Sequence, residues 1–147
     1  MTNRGSISSS GGIPPIDEVR LQRIKKMVSH KPFIWEGDLF YALLTIHKGG
    51  RPYFPFLSFF VDHQSGYILK GEFLEPLEYR ANFQEQFLRL LESVRFLPQE
   101  VRVKREEVFK LLEPITTKLE VKLMLVQKLS ALEEAQKATE DFFLKKK

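Results

Sequence analysis

The 147-residue sequence predicts an α/β domain built on a mixed five-stranded sheet. Two patterns and the composition support this class. An apolar run is followed by a turn and a returning strand, which indicates an antiparallel start. Helical and strand periodicities then alternate through the C-terminal half, as in sheets that carry helices on their faces. Hydrophobic residues make up 43% of the chain and include thirteen Phe, which is enough for one core of ordinary size.

The N-terminal region is expected to contain a tail and a helix. Residues 1–15 are interpreted as a flexible tail, because residues 1–12 are rich in Ser and Gly and lack the apolar core of a signal peptide. Residues 16–31 are predicted to hold a helix over 16–29, with acidic residues early and basic residues late, as the helix dipole favours. Two roles stay open for it: packing on its own domain, or docking on a partner.

Residues 33–144 are expected to form the main domain. Its first strand is aromatic and β-branched, and we expect it to end with Trp35-Glu36-Gly37-Asp38. Residues 56–61 form a near-continuous apolar run, which is typical of a central strand that is covered on both faces. Residues 67–74 then return as the second strand of a hairpin.

Asp62, Ser65 and Gly66 are predicted to build the hairpin turn, in which an Asp side chain caps the turn and a Gly adopts positive φ. His63 makes Asp62 resemble a metal or catalytic site, but the capped turn is the favoured interpretation. Adjacent strand residues point to opposite faces, so Asp62 and His63 are poorly placed to share a metal. A zinc site from the three His residues has no supporting spacing.

Three helices and two strands are predicted after the hairpin. The apolar residues from Phe83 to Val94 keep helical spacing in a helix that begins near Asn82. Residues 100–103 alternate as a strand, and the next helix contains Pro114, which is expected to kink or end it. Residues 121–126 form a further strand, and Ser130 with Glu133 resembles the capping box of a last helix.

Composition and charge exclude several function classes. The absence of Cys excludes disulfides, thiolate catalysis and Cys-ligated zinc, and it fits a reducing cytoplasm. No apolar run reaches the length of a transmembrane helix, so no membrane partner is expected. The net charge of +4 is uneven: residues 1–32 hold six basic and two acidic side chains, whereas residues 33–147 hold seventeen of each. Nucleic-acid or partner contacts are therefore expected in the basic segment, at Arg20, Arg23, Lys25 and Lys26.

Three short motifs carry a family resemblance: W-x-x-D at 35–38, R-P-Y-x-P at 51–55 and V-D-x-x-S-G at 61–66. The W-x-x-D motif and the hairpin that begins at V-D-x-x-S-G, together with the order of strands and helices over roughly 33–144, resemble the ribonuclease H-like catalytic core of retroviral integrases and transposases. The same motif set is similar to an uncharacterised bacterial domain family without an assigned activity.

The resemblance to integrases implies three carboxylates that hold two Mg²⁺ or Mn²⁺ ions. The first falls on Asp38, and the third falls on Glu133 or Glu134 of the last helix. The second is expected where Lys104 stands, and an ammonium group there disfavours a cation. Glu106 or Glu107 would supply this second carboxylate only if the register of the alignment slipped by two or three positions.

We therefore expect a degenerate, non-catalytic binding or scaffolding module that needs no metal or other cofactor. Its partner is expected to be a protein, a second copy of the chain, or nucleic acid bound through the basic segment. The alternative is a divalent-metal-dependent nuclease or strand-transfer enzyme that uses Asp38, Glu106 or Glu107, and Glu133 or Glu134. Other catalytic motifs, such as G-x-S-x-G or a phosphate-binding glycine loop, are not found in the sequence.

Overall fold

The fold is taken from a computed structural model that describes residues 12–42, 46–48 and 51–145. Four helices and seven strands are found in these residues. In chain order they are α1 (Glu18–Met27), β1 (His30–Tyr41), β2 (Ile46–Lys48), β3 (Arg51–Tyr53), β4 (Phe56–Asp62), β5 (Ile68–Leu74), α2 (Tyr79–Val94), β6 (Leu97–Val103), α3 (Glu106–Leu119), β7 (Lys122–Leu125) and α4 (Ser130–Lys145).

Five of the strands form one mixed sheet in the order β5-β4-β1-β6-β7. The β1–β4 and β4–β5 pairs are antiparallel, whereas β1–β6 and β6–β7 are parallel. The predicted fold class is therefore confirmed. The remaining strands, β2 and β3, pair in a separate two-stranded ribbon. Because β1 lies at the centre of the main sheet, its middle residues, 35–39, are buried on both faces.

Some boundaries differ from the predicted ones. β1 continues past Asp38 to Tyr41, because its last residues pair with the start of β4. α2 begins at Tyr79, earlier than the expected start near Asn82. The aromatic ring of Tyr79 stacks on that of Phe56 at a centroid distance of 3.9 Å. α3 does not end at Pro114 but runs on to Leu119. Buried residues on both sides of this proline hold the helix on the core, and this packing outweighs the lost backbone hydrogen bond.

Two hydrophobic clusters lie on opposite faces of the sheet. The larger one contains Trp35 and Phe60 and is covered by α1, α2 and α3, whereas the smaller one contains Phe59 and lies under α4. α1 contributes Leu21 and Ile24 to the larger cluster. The N-terminal helix thus packs on its own domain. Within the described ranges, no helix combines the length and the hydropathy needed to cross a membrane.

Candidate functional site

Two carboxylates of β1 are buried on the face that α4 covers. Glu36 and Asp38 are each 1% exposed. Strand alternation places both on one side of the sheet, while Trp35 and Leu39 point into the larger cluster on the other side. A buried carboxylate is costly unless charged or hydrogen-bonding partners compensate it, so the partners of these two groups define the site.

Asp38 is paired with Arg105, which directly precedes α3. The Arg105 Nε donates to Asp38 Oδ1 at 2.8 Å, and the backbone N–H of Leu39 donates to the same oxygen at 2.9 Å. Burial raises the pKa of Asp38 above its ordinary value, although the Leu39 N–H, Arg105 and Lys104 each act to lower it. Desolvation is therefore the dominant effect on this carboxylate.

Glu36 links three parts of the fold. Its Oε1 accepts the backbone N–H of Leu132, in the first turn of α4, at 2.8 Å. Its Oε2 lies 2.5 Å from Nδ1 of His63, in the β4–β5 turn. The second ring nitrogen of His63 lies 3.4 Å from Nη1 of Arg102. A guanidinium group only donates, so the tautomer that fits both contacts carries a hydrogen on Nδ1 and donates it to Glu36.

The remaining charges of this face are also paired. Arg102 donates through Nε to Oε2 of the buried Glu100 at 2.5 Å. Lys104, at the end of β6, places its Nζ 3.7 Å from Oε2 of Glu133 in α4. The face thus contains interleaved cations and anions, which we call the paired-charge face: Glu36, Asp38, His63, Glu100, Arg102, Lys104, Arg105 and Glu133.

The other candidate acids do not join this face. Glu107 accepts from the Tyr79 hydroxyl at 2.6 Å and from Arg80 Nε at 2.8 Å, so it faces α2. Burial, together with the Glu107 hydrogen bond, raises the pKa of Tyr79 to about 12. Glu106 and Glu134 are exposed. Among the described residues, neither glutamate at the start of α3 therefore joins the paired-charge face.

The residues do not fit the two-metal site that the fold implies. In the part of the chain that the structure describes, no group of three or more His, Asp or Glu side chains is arranged to hold a metal ion. Asp38 and Glu133, the acids expected to be ligands, are each in contact with a cationic side chain of the chain itself. A divalent cation would have to displace these ion pairs.

Asp62 serves the hairpin turn. Its Oδ2 accepts from the backbone N–H of Ser65 at 2.9 Å and from the Ser65 hydroxyl at 2.8 Å. Gly66 has φ of 76°, a conformation that glycine adopts without steric cost. The turn holds His63 beside the sheet, where the ring reaches Glu36.

The basic residues of α1 differ in their surroundings. Arg20 is 16% exposed and donates to Glu92 Oε1 at 2.8 Å and to Glu85 Oε1 at 2.6 Å, both on α2. Lys25 lies 3.9 Å from Glu120, whereas Arg23 and Lys26 are exposed. Arg20 is therefore engaged within the fold, and the other three basic residues face outward.

Glu36, His63 and Arg105 were not among the candidates that the sequence suggested. The signal for Glu36 was present, since it lies two strand residues before Asp38 and must share its face. His63 and Arg105 lie 27 and 67 residues from the carboxylates they contact, and no local pattern connects them.

Comparison with solved structures identifies the architecture. The chain is similar to the HTLV-2 integrase catalytic core domain in complex with magnesium, in a trimeric and in a dimeric form. Both matches have a TM-score of 0.56 and cover 76% of this chain. The identities are 17% and 18%, with 69% and 70% of those chains covered. The likeness to integrase cores is thus confirmed for the fold alone.

Sequence comparison gives the family. No curated protein matches the chain significantly. A family model matches residues 20–140, which include most of α1 and the whole five-stranded sheet. The chain therefore belongs to the family described as Domain of unknown function (DUF6930), and its fold is that of a ribonuclease H-like integrase core.

Proposed function

We propose that this protein is a non-catalytic ribonuclease H-like module that acts by binding or scaffolding in the bacterial cytoplasm. The observation that carries the proposal is the ion pair between Asp38 and Arg105, at 2.8 Å. In an enzyme of the integrase type, the corresponding carboxylate would hold a metal ion. Here the chain supplies the compensating charge itself.

The neighbouring charges support the same conclusion. Arg102 lies on β6 beside the two buried carboxylates, and Lys104, directly after this strand, contacts the Glu133 carboxylate. A two-metal mechanism requires clustered anionic ligands that would hold the ions, and the ions would supply the positive charge that stabilises the departing oxygen. Alternating charges cancel this field, so the paired-charge face is suited to holding β1, β6 and α4 together.

The test combines cation binding with a cleavage assay. We expect no heat of binding and no shift in melting temperature with MgCl₂ or MnCl₂, and no cleavage of labelled single- or double-stranded oligonucleotides. The alternative function, a divalent-metal-dependent nuclease or strand-transfer enzyme, predicts Mg²⁺- or Mn²⁺-dependent cleavage. Such cleavage would overturn the proposal if it disappeared in Asp38→Asn and persisted in the surface control Glu113→Gln.

We assign any nucleic-acid contact to Arg23, Lys25 and Lys26, because Arg20 is held by two carboxylates. The variant Lys25→Glu with Lys26→Glu should reduce the slope of log affinity against log salt concentration by about 2, since each phosphate contact contributes roughly one unit. An unchanged slope would move the contact elsewhere. Sedimentation of the same variant separates nucleic-acid binding from self-association.

A further inference from the structure

A groove of about 450 Å³ lies between strand β5 and helix α2, away from the paired-charge face. Charged groups dominate its polar lining, with four carboxylates against one guanidinium. They are Glu72, Glu75, Glu78, Glu85 and Arg89. Glu85 is held by Arg20 and Arg89, whereas Glu72 lies 3.8 Å from Lys70 with both side chains exposed. The lining residues by themselves still carry three more negative than positive charges, which favours a cationic occupant.

Gln86 lines this groove and is only 2% exposed. Among the described residues, neither its amide oxygen nor its amide nitrogen has a hydrogen-bond partner. Its neighbour Gln84, on the same helix and equally buried, donates to the Leu111 carbonyl at 2.9 Å. Buried amides in folded proteins are nearly always paired, so a Gln86 without a partner in the described part of the chain is an exception that needs an explanation.

The strand beside this groove is an edge strand. β5 lies at the end of the five-stranded sheet, and β4 is the one strand of the described ranges that pairs with it. Its outer edge therefore presents backbone N–H and C=O groups to which an extended segment can bind. Two apolar side chains in the groove lining, Phe73 and Leu77, are 41% and 78% exposed. They offer apolar contacts to such a segment.

We propose that the β5–α2 groove binds an extended, lysine- or arginine-rich segment of a partner protein. The segment adds a sixth strand to the sheet at β5, pairs with the Gln86 amide after that buried side chain turns toward the groove, and places its basic side chains among the glutamates. This inference rests on the proposed binding function and specifies the chemistry of the partner.

The test uses a fluorescein-labelled octapeptide in which Lys alternates with Thr and Val. We expect saturable binding by fluorescence polarisation, with amide chemical-shift changes concentrated in β5 and α2. The same peptide with Glu at every Lys position should not bind. A version N-methylated on alternate residues should also fail, because it cannot pair with a strand. Equal binding of all three peptides, or shifts centred elsewhere, would overturn the proposal.

Three variants locate the contact. Glu72→Lys combined with Glu78→Lys should weaken binding about tenfold, because it reverses the charge of the groove. The matched control Glu113→Lys, on the exposed side of α3, should bind like the wild type. Gln86→Met should weaken binding and raise the melting temperature of the free protein, since it removes an unpaired buried amide. Unchanged affinity in both groove variants contradicts the proposal.

The outcomes are distinguishable from those for the proposed function. Metal-dependent cleavage that requires Asp38 would refute the non-catalytic role and leave the groove unaffected. Failure of the basic octapeptide to bind would refute the groove proposal, whatever the cleavage assay gives.

Discussion

At Asp38, the cost of removing a carboxylate from water exceeds the gain from its ion pair and hydrogen bonds. The pKa of Asp38 is consequently raised, so the folded state binds this proton more tightly than the unfolded state. The contribution of Asp38 to stability therefore falls as the pH rises from its ordinary pKa through the raised value. At neutral pH the ionised side chain is a net cost to the fold.

Asp38→Asn should stabilise the protein at pH 7, because an amide of the same shape keeps an acceptor for Arg105 and the Leu39 N–H without a buried charge. The gain should disappear at low pH, where wild-type Asp38 is protonated. Urea unfolding of both proteins between pH 3 and pH 7 measures this difference. A variant that is less stable than the wild type at pH 7 would contradict the argument.

Arg105→Ala should lower the free energy of unfolding at pH 7 by about 1–2 kcal/mol, since it leaves the Asp38 carboxylate without its charged donor. Part of the Arg105 side chain is exposed, which limits the loss. In the Asp38→Asn background, Arg105→Ala should lower the free energy of unfolding by much less. A double-mutant cycle by urea unfolding measures the coupling, and an equal cost in both backgrounds would exclude it.

Gly37 allows close contact between β1 and the ring of Phe60. A Cβ atom at this position would lie 2.7 Å from Cε1 and 2.9 Å from Cδ1 of Phe60. That ring is fully buried and stacks on Phe83 and Phe87 at centroid distances of 5.5 and 5.3 Å. It has little room to move.

Gly37→Ala should destabilise the fold by about 2 kcal/mol through overpacking. Gly66→Ala is the matched control, because no atom lies within 4 Å of its added Cβ and only the strain of its positive φ remains. Urea denaturation compares the two variants. If Phe60→Leu recovers part of the loss in Gly37→Ala, crowding is its cause; no recovery would argue against that cause.

At the level of elements, Arg20 attaches α1 to α2. Its guanidinium hydrogen bonds lower the pKa values of Glu85 and Glu92. Groups with a depressed folded pKa contribute stability above their ordinary pKa, and this contribution is lost as the pH falls through the depressed values. The α1–α2 contact should therefore weaken in acid.

Arg20→Ala should lower the free energy of unfolding by about 2 kcal/mol at neutral pH, because two partly buried carboxylates lose their donor. The difference from the wild type should shrink in acid as both carboxylates become protonated. Arg23→Ala, on the exposed side of the same helix, should change stability by less than about 0.5 kcal/mol. Equal effects of both variants in urea denaturation would show that the α2 contacts are not the cause.

For the whole molecule, the core continues from α1 to the sheet. Leu21 and Ile24 are 2% and 0% exposed and belong to the cluster that contains Trp35. The family match likewise begins at residue 20, within α1. We therefore expect α1 and the sheet to unfold together.

Deletion of residues 1–29 should lower the free energy of unfolding by about 3–6 kcal/mol, the burial energy of the two lost aliphatic side chains. The urea midpoint should fall when followed by far-ultraviolet circular dichroism and by Trp35 fluorescence. Ile24→Ala, which retains the helix, should cost about 3 kcal/mol. An unchanged midpoint in the deletion variant would mean that α1 unfolds separately.

The sequence alone was sufficient for much of the architecture. Apolar runs, helical spacing and turn residues are local signals, so they predicted the β4–β5 hairpin, the later helices and the mixed sheet. The family resemblance placed Asp38, Lys104 and Glu133 in one region. Boundaries were less well predicted where tertiary packing extended an element, as at Pro114 in α3.

The partners of the buried charges were decided by the tertiary structure. Glu36 accepts a hydrogen bond from the Leu132 N–H, which lies 96 residues away in the sequence, and Asp38 accepts one from Arg105, which lies 67 residues away. A side chain's periodicity tells whether it faces the core, but the group that compensates its charge depends on which elements the sheet order brings together. The sequence thus determined a ribonuclease H-like framework, and the resemblance to integrases predicted Lys104 where a carboxylate is expected. Only the folded chain determined that its carboxylates form ion pairs, because desolvation and pairing depend on neighbours distant in sequence.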